Sequence, residues 1–127
     1  MTLLYIDDDI DDRAIFSEAL EHIDPSSVFV GAATGEAALK ILLTTVPDYI
    51  LLDVNMPELT GRDVLHRIRL NRDLKDVPVI MFSTSINERD RKEFLAAGAN
   101  DCVTKPSGFE QLCEVIRSIL FPRQSAS

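Results

Sequence analysis

Carboxylates dominate the chemistry that this sequence could perform. Asp7, Asp8 and Asp9 stand together after one short apolar run, and Asp53 closes another. Ser83 and Thr84 follow a third such run, and Lys105-Pro106 follows a fourth. Carboxylates gathered in one place repel each other, and one must take up a proton unless a cation joins them. A hard divalent ion with oxygen ligands relieves the repulsion. Mg2+ usually takes one or two carboxylates together with water and phosphate oxygens. An aspartate can itself be a nucleophile and form an aspartyl-phosphate. Phosphoryl transfer then depends on positioning and on neutralising the equatorial oxygens. In that chemistry Asp53 is the candidate acceptor, and Lys105 and the Ser83 hydroxyl would serve oxygens that Mg2+ does not.

Each residue also has a plain structural reading. Asp7 to Asp12 holds five acids in six positions, and acids are favoured at a helix N-terminus by the helix dipole. That reading is adopted for Asp9, Asp11 and Asp12. It does not suit Asp7 and Asp8, which directly follow a buried run. Asp53 alone could be a strand-end turn residue, Ser83 and Thr84 could cap the following helix, and Lys105 could be any surface lysine. Their joint placement at successive strand ends favours a shared site.

The elements that must position them alternate along the chain. Apolar runs stand at Leu3–Ile6, from Val28 to about Ala33, at Tyr49–Leu52, at Val79–Phe82 and, weakly, at Cys102–Thr104. The first, third and fourth are apolar at successive positions, the pattern of strands buried on both faces of a parallel sheet. Helical periodicity fills the gaps. The first helix runs from about Asp11 to Ile23, with Ile15, Phe16, Ala19, Leu20 and Ile23 inward. The second runs from Gly35 to about Thr45 behind a Thr34 cap, with Pro47 ending it. The third follows Gly61, with Val64, Leu65 and Ile68 inward. The fourth covers about Asn87 to Ala97, with Gly98 at its C-terminus. The last carries one stripe of Phe109, Leu112, Cys113, Ile116, Ile119 and Leu120, and Pro122 stops it. Five strand-helix units in strict alternation predict an α/β sandwich around a parallel sheet, with right-handed crossovers placing helices on both faces. In such a sheet ligands bind beyond the carboxyl ends of the strands, where the acids, hydroxyls and lysine fall.

Composition bounds the rest. The chain has 127 residues, is 46% hydrophobic and carries a net charge of -8. That length and apolar content fit one domain, expected over residues 1–121, with 122–127 as a tail. The acidic balance speaks against non-specific nucleic-acid binding. No apolar run approaches the roughly 20 residues needed to span a bilayer, and the first residues do not read as a signal peptide. A cytoplasmic location is the expectation. Cys102 and Cys113 lack metal-ligand spacing and are expected to be free thiols.

The sequence resembles the receiver domain of two-component response regulators, of the single-domain, chemotaxis-regulator type, over essentially its whole length. Carrying the resemblance are Tyr5-Ile6-Asp7-Asp8-Asp9, Leu51-Leu52-Asp53-Val54-Asn55-Met56-Pro57 with Gly61 behind it, Pro78-Val79-Ile80-Met81-Phe82-Ser83, Gly98-Ala99 and Lys105-Pro106. It implies a flavodoxin-like (βα)5 three-layer sandwich with strand order 2-1-3-4-5. It also implies that Asp53 is the phosphoacceptor and that Asp8 is a direct Mg2+ ligand with Asp7 supporting the metal shell. Asn55 would offer its backbone carbonyl to the metal, Ser83 would bind a phosphoryl oxygen and Lys105 would pair with the phosphoryl group. The Lys105-Pro106 bond would be cis. The donor would be a phosphohistidine on a sensor histidine kinase or histidine phosphotransfer protein. The domain would help catalyse its own phosphorylation and hydrolysis without being an enzyme acting on a separate substrate. Output would come through docking or phosphorelay, with no output domain in this chain. The fourth helix, fifth strand and fifth helix would form the docking and dimerisation face.

Two departures from the family pattern stand out. Cys102 occupies the position, three before the lysine, where Tyr or Phe is common, and it is too small to swing as that ring does. Ser107-Gly108 follows Lys105-Pro106 where Phe is common. Two other readings compete: a receiver-like module that never carries phosphate, and an aspartate-nucleophile phosphohydrolase, whose Asp-x-Asp signature Asp53-Val54-Asn55 matches only in its first aspartate.

Overall fold

The computed structural model of the chain describes residues 1–121. Five parallel strands form one sheet: β1 (Thr2–Ile6), β2 (Val28–Ala32), β3 (Tyr49–Asp53), β4 (Val79–Ser83) and β5 (Asp101–Thr104), in the order β2-β1-β3-β4-β5. The helices are α1 (Ile10–Ile23), α2 (Gly35–Ile41), α3 (Gly61–Leu70), α4 (Glu88–Ala96) and α5 (Phe109–Leu120). This is the expected flavodoxin-like sandwich.

The continuous apolar runs are explained by the two-sided burial they suggest. Alternate strand residues enter different cores. Leu4, Ile6, Ile50, Leu52, Val79, Met81 and Cys102 pack with Val64, Leu65 and Ile68 of α3 and Phe94 of α4. Leu3, Tyr5, Leu51, Ile80 and Phe82 pack on the other face with Phe16, Ala19 and Leu20 of α1 and Leu112, Cys113 and Ile116 of α5. The period of two also carries direction past the strand ends. Asp7 continues the Leu3–Tyr5 row and Asp53 the Leu51 row, so the register that buries the core aims both carboxylates.

Helix starts are defined by side-chain caps. The Asp9 carboxylate accepts the N–H groups of Asp11 and Asp12, and Thr34 accepts that of Ala37. Thr60 and Asp63 form a reciprocal capping box, and Asn87, rather than Ser83 or Thr84, caps α4. Gly108 precedes α5 without a side-chain cap. Gly61 is required by a close approach: a Cβ there would lie 2.4 Å from the Asp53 carbonyl oxygen. Gly98 ends α4 at φ +110, a conformation that costs other residues energy.

The structure corrects several expectations. Ile15 is 45% exposed, while its neighbour Phe16 is buried in the core of α1 and α5 and stacks on Tyr5. Phe109, at the first turn of α5, is 41% exposed instead of joining the stripe. The α-helical part of α2 stops at Ile41, and Leu42 to Thr44 continue as a turn closed by bonds such as Thr45 N–H to the Ile41 carbonyl (3.0 Å). There is no cis peptide among the described residues, so Lys105-Pro106 is trans, the favoured form even before proline. The expected tail, 122–127, lies outside the described residues. No described helix is long and apolar enough to cross a membrane.

Candidate phosphoacceptor site

The ends of β1 and β3 bring Asp7, Asp8 and Asp53 together, each offering an oxygen within 4.8 Å of the others'. Asp7 and Asp53 are buried, and Asp8 is exposed at the mouth. Lys105, just beyond β5, reaches across the rim. Its Nζ lies 2.6 Å from Asp7 Oδ2, 3.0 Å from Asp12 Oδ2 and 3.8 Å from Asp53 Oδ1. Its backbone N–H donates to the Ser83 carbonyl at 2.7 Å, tying the lysine to the end of β4.

The buried Asp7 is the most constrained of the acids. Its Oδ1 accepts the Asp9 N–H at 3.0 Å, and its Oδ2 accepts the Tyr5 hydroxyl at 2.9 Å as well as Lys105. The Arg13 guanidinium donates to the Asp7 carbonyl at 2.8 Å. Burial opposes ionisation of Asp7, but the bonds from Lys105, the Asp9 N–H and Tyr5 outweigh it and hold the carboxyl below its ordinary value. Burial, then the Asp7 charge, pushes the Tyr5 hydroxyl up and keeps it a neutral donor.

Asp53 behaves in the opposite way. Burial pushes its carboxyl up to about 6 against the attraction of Lys105, and the charges of Asp7 and Asp8 push the same way. The Asn55 N–H, at 3.4 Å, donates to Asp53 Oδ1 and partly offsets this. Lys105 pays a burial penalty but is raised by Asp7, Asp12 and Asp53. The result is an Asp53 carboxylate short of partners beside a lysine already engaged elsewhere. All-oxygen donors around one point, two of them buried and mutually repelling, suit a hard divalent cation and not a soft one.

Ser83 is 1% exposed, and its hydroxyl donates to the Ser85 carbonyl at 3.4 Å. Thr84 beside it is exposed. Asn55 is exposed too, with its backbone N–H next to Asp53. Cys102 lies at 5% exposure among the residues under α4, while its carbonyl accepts Arg91 at 2.7 Å. Burial raises its thiol, so it is a poor nucleophile.

Two site residues were not anticipated. Tyr5 was legible, because it precedes Asp7 by two positions in a strand and therefore shares its face. Asp12, read as a solvated helix acid, in fact bonds Lys105 across 93 positions of sequence. No local pattern points to that contact. Asp9 and Asp11 do keep the capping and surface roles expected of them.

A parallel 2-1-3-4-5 sheet carrying acids after β1 and β3 and a lysine after β5 defines the receiver class of signalling domains. The family model described as "Response regulator receiver domain" matches residues 3–117, and the chain belongs to that family. Among the curated relatives, a protein-glutamate methylesterase/protein-glutamine glutaminase of Trichodesmium erythraeum is 39% identical over 95% of this chain and 35% of its own length. The chain spans between 34% and 47% of the first four curated relatives it matches. Among solved structures, the phosphorylated cyanobacterial phytochrome response regulator RcpA is 31% identical, with TM-score 0.85 over 93% of this chain and 89% of that one. The Mn(2+)-bound form of response regulator Rcp1 is 28% identical, with TM-score 0.83 over 98% of this chain and 96% of that one.

Proposed function

We propose that this receiver domain accepts a phosphoryl group from a phosphohistidine donor onto Asp53, in a reaction that depends on Mg2+. The observation that carries the reading is the convergence of Asp7, Asp8 and Asp53 within 4.8 Å, with the Lys105 ammonium 3.8 Å from Asp53. An Asp53 carboxylate oxygen forms the new O–P bond. The N–P bond of the donor breaks, and the imidazole leaves as the neutral or protonated ring.

Asp7, Asp8, Asp53 and the Asn55 backbone carbonyl would hold the metal. Bound there, Mg2+ would neutralise charge on a phosphoryl oxygen. Lys105 would pair with a second oxygen and the Ser83 hydroxyl with a third, once that hydroxyl leaves the Ser85 carbonyl. A divalent cation is also what the crowded, partly neutralised carboxylates would favour, and the Mn(2+)-bound relative supports the same class of ion. The Asp53 side chain is mostly enclosed, so the group reacts at the mouth where Asp8 and Asn55 are exposed.

The donor would be a sensor histidine kinase or histidine phosphotransfer protein, and the setting the cytoplasm, where ATP supplies such phosphohistidines. Output by docking or relay, and pairing of two copies through the α4-β5-α5 face, complete the reading. It involves no separate substrate to turn over, nor direct contact with nucleic acid or membrane. Incubation with acetyl phosphate and Mg2+, followed by intact mass measurement, tests it. One phosphoryl group should add to the wild type and none to Asp53→Asn. Equal addition to both, or none to the wild type, would sink the assignment.

A further inference from the structure

We propose that Asp12 is a positioning residue that competes with the acceptor for Lys105 and so weakens the domain's hold on its phosphoryl group. The inference rests on the reading of Asp53 as phosphoacceptor. An ammonium has three N–H donors. Two are taken, by Asp7 at 2.6 Å and Asp12 at 3.0 Å, while Asp53 lies beyond hydrogen-bond distance at 3.8 Å.

The two occupied partners differ in how they are held. Asp7 is fixed by Tyr5, the Asp9 N–H and its own burial, so Lys105 cannot leave it without stranding a buried charge. Asp12 sits on the first turn of α1 with its side chain 37% exposed, and water can replace Lys105 there. Asp12 and Lys105 both line a cleft of about 270 Å³ between α1 and the β5–α5 segment, which Asp7 and Asp53 do not. Lys105 is therefore held off Asp53 by its two present partners, and of these the partly exposed Asp12 is the one that can yield to a phosphoryl group on Asp53. Removing the Asp12 charge removes that competitor and leaves the Asp7 anchor intact.

Beryllofluoride, a reversible mimic of the phosphoryl group, gives an equilibrium readout. Its affinity in saturating Mg2+ can be followed by 19F NMR of the bound species in wild type, Asp12→Asn and Asp11→Asn. Asp11 makes the same change of charge in the same helical turn but is exposed and forms no ion pair with Lys105. Asp12→Asn should tighten binding roughly 3- to 5-fold, the scale of a partly exposed ion pair, and Asp11→Asn by less than about half as much. In a Lys105→Met background the Asp12 effect should vanish, which a general change of field or of helix stability would not produce.

An equal gain from both asparagine variants, a loss with Asp12→Asn, or an undiminished gain without Lys105 would overturn the proposal while leaving the phosphoacceptor reading in place. No binding by the wild type would remove both.

Discussion

Asp53 should destabilise the metal-free protein at neutral pH, and removing its charge should make the fold more stable. The carboxyl is pushed from 3.8 up to about 6, first by burial, so folding favours its protonated form. The unfolded chain binds fewer protons than the native one between those values, and stability falls as pH rises through that window. Two units at roughly 1.4 kcal/mol each make the ionised carboxylate cost about 3 kcal/mol at pH 7.5, and about 1 kcal/mol at pH 4.5. Asp53→Asn keeps the shape and deletes the charge. In a chelator at pH 7.5 it should melt about 10 °C above the wild type, since 1 kcal/mol moves a domain of this size by roughly 4 °C. The gap should shrink to about a third at pH 4.5. Millimolar Mg2+ should raise the wild-type midpoint and move the variant much less, because a ligand stabilises the state that binds it. The assay is a set of thermal melts at two pH values with and without Mg2+. An Asp53→Asn midpoint equal to or below the wild type at pH 7.5, or a gap that grows at low pH, would refute the argument that burial and like charges dominate here.

Three further outcomes follow from local geometry. Glu58 is exposed at φ 65 in the loop after Asp53, and Glu58→Gly should stabilise the fold by about 1 kcal/mol in urea titration, because the left-handed conformation costs glycine nothing. Gly61→Ala places a Cβ 2.4 Å from the Asp53 carbonyl oxygen; it should destabilise by about 2 kcal/mol or more and shift amide NMR signals around Asp53. Asp8→Ala should weaken Mg2+ binding by calorimetry at least about tenfold, and Asp11→Ala by less than about twofold, because only Asp8 shares a point with Asp7 and Asp53. Equal effects would mean that the acidic stretch acts as a diffuse patch.

The fold was legible because parallel-sheet burial writes itself into consecutive residues. Leu3–Ile6, Tyr49–Leu52 and Val79–Phe82 carry apolar side chains to both cores, and no solvent-facing strand could tolerate that. The meeting of Asp7, Asp8, Asp53 and Lys105 was legible because each stands at or just beyond the carboxyl end of a strand in the sheet. What local pattern could not supply was partner choice. Phe16 and Ile15 are equivalent as hydrophobes, and only the space beside Tyr5 and Phe82 decides which side chain is buried; Phe16 stacks on Tyr5 at 4.4 Å. Asp12 and Asp11 are equivalent as helix acids, and only the reach of a lysine 93 positions away separates them.

The constellation around Asp53 holds more negative charge than it can neutralise. Three carboxylates, Asp7, Asp12 and Asp53, surround one ammonium at uneven distances, and a fourth, Asp8, stands beside Asp7 and Asp53. A phosphoryl group on Asp53 would deepen the deficit, so the chemical change at the acceptor presses on whichever contacts can move. Asp7 cannot, being buried and bonded at both oxygens. The Ser83 hydroxyl can, because its 3.4 Å contact to the Ser85 carbonyl is long for an O–H donor. Lys105 can give up Asp12, because the Asp12 side chain is partly exposed and water can replace the lysine there. In this chain the position under α4 where the family often has an aromatic ring holds Cys102, with little volume to displace. Under the proposed function, the first response to a phosphoryl group on Asp53 is expected at the β4–α4 turn and at the α1 side of Lys105.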